Sequence, residues 1–185
     1  LTGLPGRRAL NERMQRLGRN YVLAMSDVDH FKKFNDTHGH DVGDQVLRLV
    51  ASKLSKITNG GGRAYRYGGE EFAIVFAGKT LEECMPHLEV IRETIASYQI
   101  QLRNQDNRPN DDLQGRQRRA GSQASAVSVT VSIGVAERLP EHRNPEEVLK
   151  SADQALYAAK GAGRNCVISH AHTSKRGAVR MAAAG

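Results

Sequence analysis

The sequence predicts a single α+β or α/β domain in which helices cover a sheet built around a central hairpin. Three observations carry that expectation. The stretch Arg66-Tyr67-Gly68-Gly69-Glu70-Glu71-Phe72 sets a Gly-Gly pair between two strand-like segments, the second continuing as Ala73-Ile74-Val75-Phe76-Ala77; glycine supplies the positive φ that tight hairpin turns use. Val127, Val129, Val131, Ile133 and Val135 alternate with small or hydroxyl residues across 126–135, the period of a strand. Between such segments, apolar residues recur at helical spacing behind recognisable capping residues.

In chain order, a turn-rich opening from Leu1 to Gly6 precedes a helix with Leu10, Met14 and Leu17 on one face. Tyr21 to Met25 reads as a buried strand ending in Ser26-Asp27-Val28-Asp29. Side chains alternate along a strand, so Asp27 and Asp29 share one side and Val28 takes the other. Burying an unpaired carboxylate is costly, so these acids suit metal ligation, helix capping or the surface. Asp29 stands where an N-cap for the next helix would stand; Asp27 does not. That helix, Phe31 to Thr37, breaks at His38-Gly39-His40, with Asn35 and His40 in the polar break. A longer helix runs from Asp41 to about Ile57 on an apolar stripe of Val42, Val46, Leu49, Val50, Leu54 and Ile57. Asp44 falls in its first turn, where the helix dipole favours an acid.

The Asn59-Gly60-Gly61-Gly62 turn leads into the hairpin. Thr80 to about Tyr98 is an amphipathic helix opened by a Thr80/Glu83 capping box. Residues 101–123 form a polar excursion in which Arg116-Gln117-Arg118-Arg119 reads as a solvated loop. The last helix starts at Asn144-Pro145, with proline at its first position, and buries Val148, Leu149, Ala152, Ala155, Leu156 and Ala159. It stops at Lys160-Gly161-Ala162-Gly163-Arg164-Asn165, where two cations four residues apart either complement the helix end or meet an anion. Cys166 to Ser169 is a short final strand. His170 to Gly185 has no periodicity and reads as a disordered tail.

Composition bounds the function. With 185 residues, 39% hydrophobic and 25% charged, the chain fits one domain with a real core. No apolar run approaches the roughly 20 residues of a membrane span, and no signal-peptide pattern opens the chain. Because it begins without Met, the chain is expected to be a piece of a longer protein. Cys84 and Cys166 lie far apart, in no metal-ligand spacing, which makes a reduced, cytoplasmic setting the expectation. The net charge of +7 suits anionic partners. The absence of Trp argues against a stacking platform for single-stranded nucleic acid. No motif supports nucleic-acid binding, and the domain is expected to make no membrane contact. The Glu70-Glu71 pair at the hairpin tip is either simply solvated or, with acids projecting from a strand end, able to hold a hard cation and a triphosphate.

Taken together, Ser26-Asp27-Val28-Asp29-His30-Phe31-Lys32-Lys33-Phe34-Asn35 with its continuation to Asp44, then Arg66 to Phe72, Ser132-Ile133-Gly134-Val135-Ala136, and Ala152 to Asn165 resemble the successive signatures of GGDEF-domain diguanylate cyclases. The resemblance covers roughly residues 1–169. It implies a fold like the nucleotidyl-cyclase and polymerase palm, a mostly antiparallel sheet wrapped by helices. It implies condensation of two GTP into cyclic di-GMP with release of two pyrophosphates, across a homodimer of half-sites. Asp27 and Glu70, with the Val28 carbonyl, would hold Mg²⁺ or Mn²⁺. Asn35 and Asp44 would read the guanine edge, with His40 a weaker candidate for a nucleotide contact. Phe31 and Lys32 would lie along the phosphates, Lys32 counting among the catalytic residues, and Lys160 and Arg164 would neutralise the β and γ groups. Glu70 or Glu71 would assist deprotonation of the attacking 3′-hydroxyl, with Glu70 favoured; Asp29 stays open between site and cap. One departure stands out: the positions of the family's Arg-x-x-Asp inhibitory site hold Asn59 and Gly62, so any product inhibition is expected at the active site. A non-catalytic receptor for GTP or cyclic di-GMP is the alternative from a different class.

Overall fold

The computed structural model describes residues 1–102 and 125–170. Its elements are α1 (Arg7–Met14), β1 (Tyr21–Val28), α2 (Phe31–His38), α3 (His40–Ser55), a 3-10 turn (Lys56–Gly60), β2 (Gly62–Arg66), β3 (Glu71–Ala77), α4 (Leu81–Ala96), β4 (Ile100–Leu102), β5 (Ser125–Val127), β6 (Val131–Glu137), α5 (Pro145–Gly161) and β7 (Val167–Ser169). Five strands form one sheet in the order β2-β3-β1-β6-β7, antiparallel except for the β6/β7 pair. This is the mostly antiparallel, helix-wrapped α+β arrangement expected; β4 and β5 make a separate two-stranded ribbon.

β1 is the middle strand, and all eight of its residues are buried, because helices cover both faces of the sheet. Alternation sorts its side chains. Val22, Ala24 and Val28 join a core with Phe31, Val46, Val50 and Leu88 from α2, α3 and α4. Tyr21, Leu23 and Met25 join another with Leu10 and Met14 of α1 and Val148, Ala152 and Leu156 of α5. Residues at the end of β1 therefore stand on a base gripped from two sides. α5 lies unusually close to the sheet: a Cβ on Gly134 of β6 would overlap the Leu156 nitrogen and the Ala152 oxygen. Only glycine permits that approach, and it brings the carboxyl end of α5 to the end of β1.

Helix starts follow their sequence cues. Glu83 N–H donates to Thr80 Oγ1 at 3.3 Å while Thr80 N–H donates to Glu83 Oε2 at 2.9 Å, closing the capping box of α4. Glu147 N–H donates to Asn144 Oδ1 at 3.0 Å ahead of Pro145 in α5. Gly39, at φ 85°, separates α2 from α3.

Other expectations are corrected. Neither Gly68 nor Gly69 has a positive φ. Residues 67–70 form a longer link than a two-residue turn, so the mirror-image turn geometry is not needed. Instead Tyr67 and Gly68 N–H both donate to Glu71 O, at 2.9 and 3.2 Å. The Arg66 guanidinium donates to Gly68 O at 3.1 Å and Gly69 O at 2.8 Å. Glycine at 68 leaves room for the Glu71 carboxylate, whose Oε2 would lie 2.6 Å from a Cβ there. The strand expected across 126–135 is two, because β5 pairs with β4 in the separate ribbon while β6 pairs with β1 and β7 in the main sheet. α3 begins at His40, so its first-turn acid is Asp41, not Asp44, and it gives way to the 3-10 turn before Ile57. His170 N–H donates to Val135 O at 2.8 Å, carrying sheet pairing one residue into the expected tail. The Arg116–Arg119 cluster and residues 171–185 lie outside the described residues.

Candidate active site

The end of β1, the start of α2, the hairpin tip and the end of α5 converge on a groove of about 350 Å³. Its walls carry four acids (Asp27, Asp29, Asp36, Glu70) and five basic groups (His30, Lys32, Lys33, Lys160, Arg164), with Val28 and Phe31 between them. Asp27 is 6% exposed, and its Oδ2 meets Lys160 Nζ at 2.9 Å. Burial nevertheless pushes the Asp27 carboxyl above the ordinary carboxylate range, outweighing the ammonium that pulls it down. Glu70 is also pushed up, first by burial and then by the negative charge of Asp27. Val28 N–H donates to Glu70 O at 3.3 Å, tying the hairpin tip to the strand end. Two acids that burial makes costly to ionise, beside lysines and an arginine, make a pocket suited to a cation and a polyanion together.

Asp29 is not a helix cap, because the N-cap of α2 is His30, which makes no side-chain capping bond. Its carboxylate instead accepts three donors: Thr130 Oγ1 at 2.6 Å, Ser132 Oγ at 2.6 Å and Asn165 N–H at 3.1 Å. Those donors come from two separate segments, so this carboxylate ties β1 to the start of β6 and to the turn after α5. Both acids reach toward the α5 end, as strand alternation requires.

The other expected residues divide. Phe31, Lys32, Lys160 and Arg164 line the groove with Asp27, Val28 and Glu70. Glu71 does not; its carboxylate lies back over Gly68. Asn35, Asp44 and His40 are also outside the lining. Asn35 is half-buried, and its Oδ1 is buried without a hydrogen-bond partner among the described residues. It packs so tightly on α3 that a Cβ on Gly43 would overlap it, which sets it beside the segment bearing Asp44. His40 is exposed at the start of α3. Sequence reasoning missed His30, Lys33 and Asp36 in the lining, and Gly43 as the seat of Asn35. Only proximity to the motifs signalled them, since the left-handed backbone of His30, φ 56°, has no sequence cue.

A family model described as the diguanylate cyclase GGDEF domain matches residues 1–114 and 108–166. The chain belongs to the GGDEF domain family. Among relatives, this GGDEF domain is 38% identical over 171 residues to diguanylate cyclase VdcA of Vibrio cholerae, covering 91% of this chain and 45% of that protein. It is 34% identical over 178 residues to the response regulator PleD of Caulobacter vibrioides, covering 92% and 35%. The domain thus spans less than half the length of these two relatives. The crystal structure of the GGDEF domain of DgcB from Caulobacter crescentus in complex with c-di-GMP superposes with a TM-score of 0.77 at 36% identity, covering 91% of this chain and 92% of that one. The active GGEEF domain of a diguanylate cyclase from Vibrio cholerae, whose name matches the Gly68–Phe72 motif here, gives a TM-score of 0.69 at 26% identity, covering 92% and 99%. Among the described residues no helix is long and apolar enough to cross a membrane.

Proposed function

We propose that this GGDEF domain is a diguanylate cyclase half-site that binds one GTP and joins it to a second, held by another copy, to give cyclic di-GMP and two pyrophosphates. The observation carrying this reading is the Asp27/Glu70 pair, both made costly to ionise by burial, sharing one groove with Lys32, Lys160 and Arg164. Its relatives include named diguanylate cyclases.

The donor set fits Mg²⁺ or Mn²⁺. Asp27 and Glu70 offer hard oxygen ligands, and the Val28 carbonyl would add a third. No cluster of three or more His, Cys, Asp or Glu side chains that could hold a metal occurs among the described residues. That suits an ion sharing its sphere with water and phosphate rather than caged by protein. When bound, the ion supplies Lewis-acid stabilisation of charge developing on the α-phosphate. The protein's own groups do the positioning. Asn35 brings an unpaired amide oxygen that guanine N–H groups would satisfy, with Asp44 close by and His40 in a lesser role. Phe31 gives an apolar edge and Lys32 a cation along the phosphates. Lys160 and Arg164 neutralise the leaving pyrophosphate, which is where nucleotidyl transfer develops charge. Glu70, which faces the groove, is the better base for the 3′-hydroxyl than Glu71, which does not. One groove holds one GTP, so the 3′-hydroxyl of one nucleotide meets the α-phosphate of the other only when two copies face each other as a symmetric dimer.

Product control through the Arg-x-x-Asp positions is not expected. Asn59 is exposed, and Gly62 packs so that a Cβ would lie 2.6 Å from Phe76 Cε1. Cyclic di-GMP would instead inhibit by occupying the guanine site, and binding that survives Asn35→Ala with Asp44→Ala would contradict this. The function is tested by fusing the domain to a dimerising coiled coil and assaying cyclic di-GMP from GTP with Mg²⁺, with Glu70→Ala alongside. Product from the parent and none from the variant is expected. GTP binding without product from the forced dimer would indicate a receptor instead.

A further inference from the structure

We propose that Asn165, gripped by Asp29 and by Arg92 of α4, is a positioning residue that aims Arg164 at the terminal phosphates of the bound nucleotide. The inference rests on the phosphate role of Arg164 proposed above, and it makes α4, which lies outside the groove, a determinant of triphosphate affinity.

The chain leaves α5 through three consecutive residues with positive φ: Gly163 at 112°, Arg164 at 67° and Asn165 at 45°. Glycine accepts this conformation freely and asparagine tolerates it, but arginine rarely adopts it. Such backbone persists only where its surroundings over-determine it, and it clusters at functional sites. Here the restraints are specific. Arg164 N–H donates to Ala159 O at 3.0 Å. Asn165 N–H donates to Asp29 Oδ2 at 3.1 Å, and Asn165 Oδ1 accepts from Arg92 Nη1 at 3.0 Å. The two grips are themselves anchored. Asp29 is held by Thr130 and Ser132, and Arg92 by Glu89 at 2.7 Å and Glu93 at 3.2 Å, with its side chain only 15% exposed.

Arg164 is exposed, lines the groove, and among the described residues no side-chain hydrogen bond or ion pair fixes its guanidinium. Its direction is therefore set by the backbone that carries it, and that backbone is set at Asn165. Releasing the Arg92 grip should let the turn relax and swing the guanidinium from the groove.

The test measures binding of a non-hydrolysable GTP analogue and of GMP, both with Mg²⁺, to the parent, Arg92→Ala, Asn165→Gly, Arg164→Ala and the Arg92→Ala/Arg164→Ala double variant. Asn165→Gly keeps both the backbone N–H and the tolerated φ, removing only the side-chain grip. Arg92→Ala and Asn165→Gly are each expected to weaken the triphosphate about tenfold and leave GMP unchanged. Arg92→Ala is expected to add nothing once Arg164 is gone. Equal losses for GMP and triphosphate, or an undiminished Arg92→Ala effect without Arg164, would overturn the clamp. So would unchanged triphosphate binding in both grip variants while Arg164→Ala weakens it. Unchanged binding in Arg164→Ala itself would overturn the phosphate assignment, and this inference with it.

Discussion

Asp27 and Asp29 stand two residues apart at the end of one strand, on the same side and equally buried at 6% exposure, yet their surroundings are opposite. Asp29 is saturated, with three donors from two segments within 3.1 Å. Asp27 meets one ammonium and a like-charged neighbour, and burial holds its carboxyl above the ordinary range. A carboxylate completed by the fold holds the fold together. One left incomplete is a place for a ligand, because the protein keeps it ionised only at a cost that a cation would relieve. The same distinction separates the paired oxygens of Glu83 and Asn144 from the orphaned Oδ1 of Asn35.

The comparison breaks first at activity. Asp27→Asn should lower cyclic di-GMP formation by about a thousandfold while thermal denaturation stays close to the parent; a well-folded, active variant would remove Asp27 from the chemistry. Asp29→Ala should do the reverse in kind. It strands the buried Ser132 hydroxyl, the half-buried Thr130 hydroxyl and the Asn165 N–H, costing about 3 kcal/mol of stability by denaturant unfolding, and a loss within 0.5 kcal/mol, the ordinary scatter at surface sites, would show it is no pin. Gly43→Ala should push Asn35 from its seat and weaken guanine nucleotides about tenfold, with adenine nucleotides hardly affected, as competitive binding would read.

The smallest effect concerns stability without metal. The folded state holds protons on Asp27 and Glu70 above the ordinary carboxylate range, so it binds more protons there than the unfolded chain. Their stabilising contribution is therefore complete below that range and is lost as pH rises through the raised values. Glu70→Gln should flatten this loss and raise the neutral-pH stability of the metal-free domain by on the order of 0.5 kcal/mol, while cyclic di-GMP formation should be lost. A melting temperature that falls in Glu70→Gln would contradict the repulsion. Divalent-cation affinity should rise across the same pH window as both carboxylates ionise.

Much of this was legible in the sequence because it rests on local physics. The capping box at Thr80, the proline start at Asn144 and the alternation of β1 depend on neighbours in the chain. The motif residues that line the groove were legible through family resemblance. What stayed hidden needed three dimensions. Nothing local distinguishes Asp29 the pin from Asp29 the cap, because its donors at 130, 132 and 165 lie far along the chain. Glycine at 134 and 43 serves contacts with α5 and Asn35, and at 68 it makes room for the Glu71 carboxylate, whereas the sequence suggested a turn angle there. The single strand read across 126–135 failed for the same reason: Val127 and Val131 fit one alternating pattern, but they pair in different sheets, with Ile100 and Val28.

The most direct test of the distinction between the two aspartates is Mn²⁺ affinity by electron paramagnetic resonance, with a non-hydrolysable GTP analogue at saturation, in the parent, Asp27→Asn and Asp29→Asn. Loss of Mn²⁺ in Asp27→Asn with near-parent affinity in Asp29→Asn is the expected result. Retention in Asp27→Asn, or equal loss in both, would contradict the account.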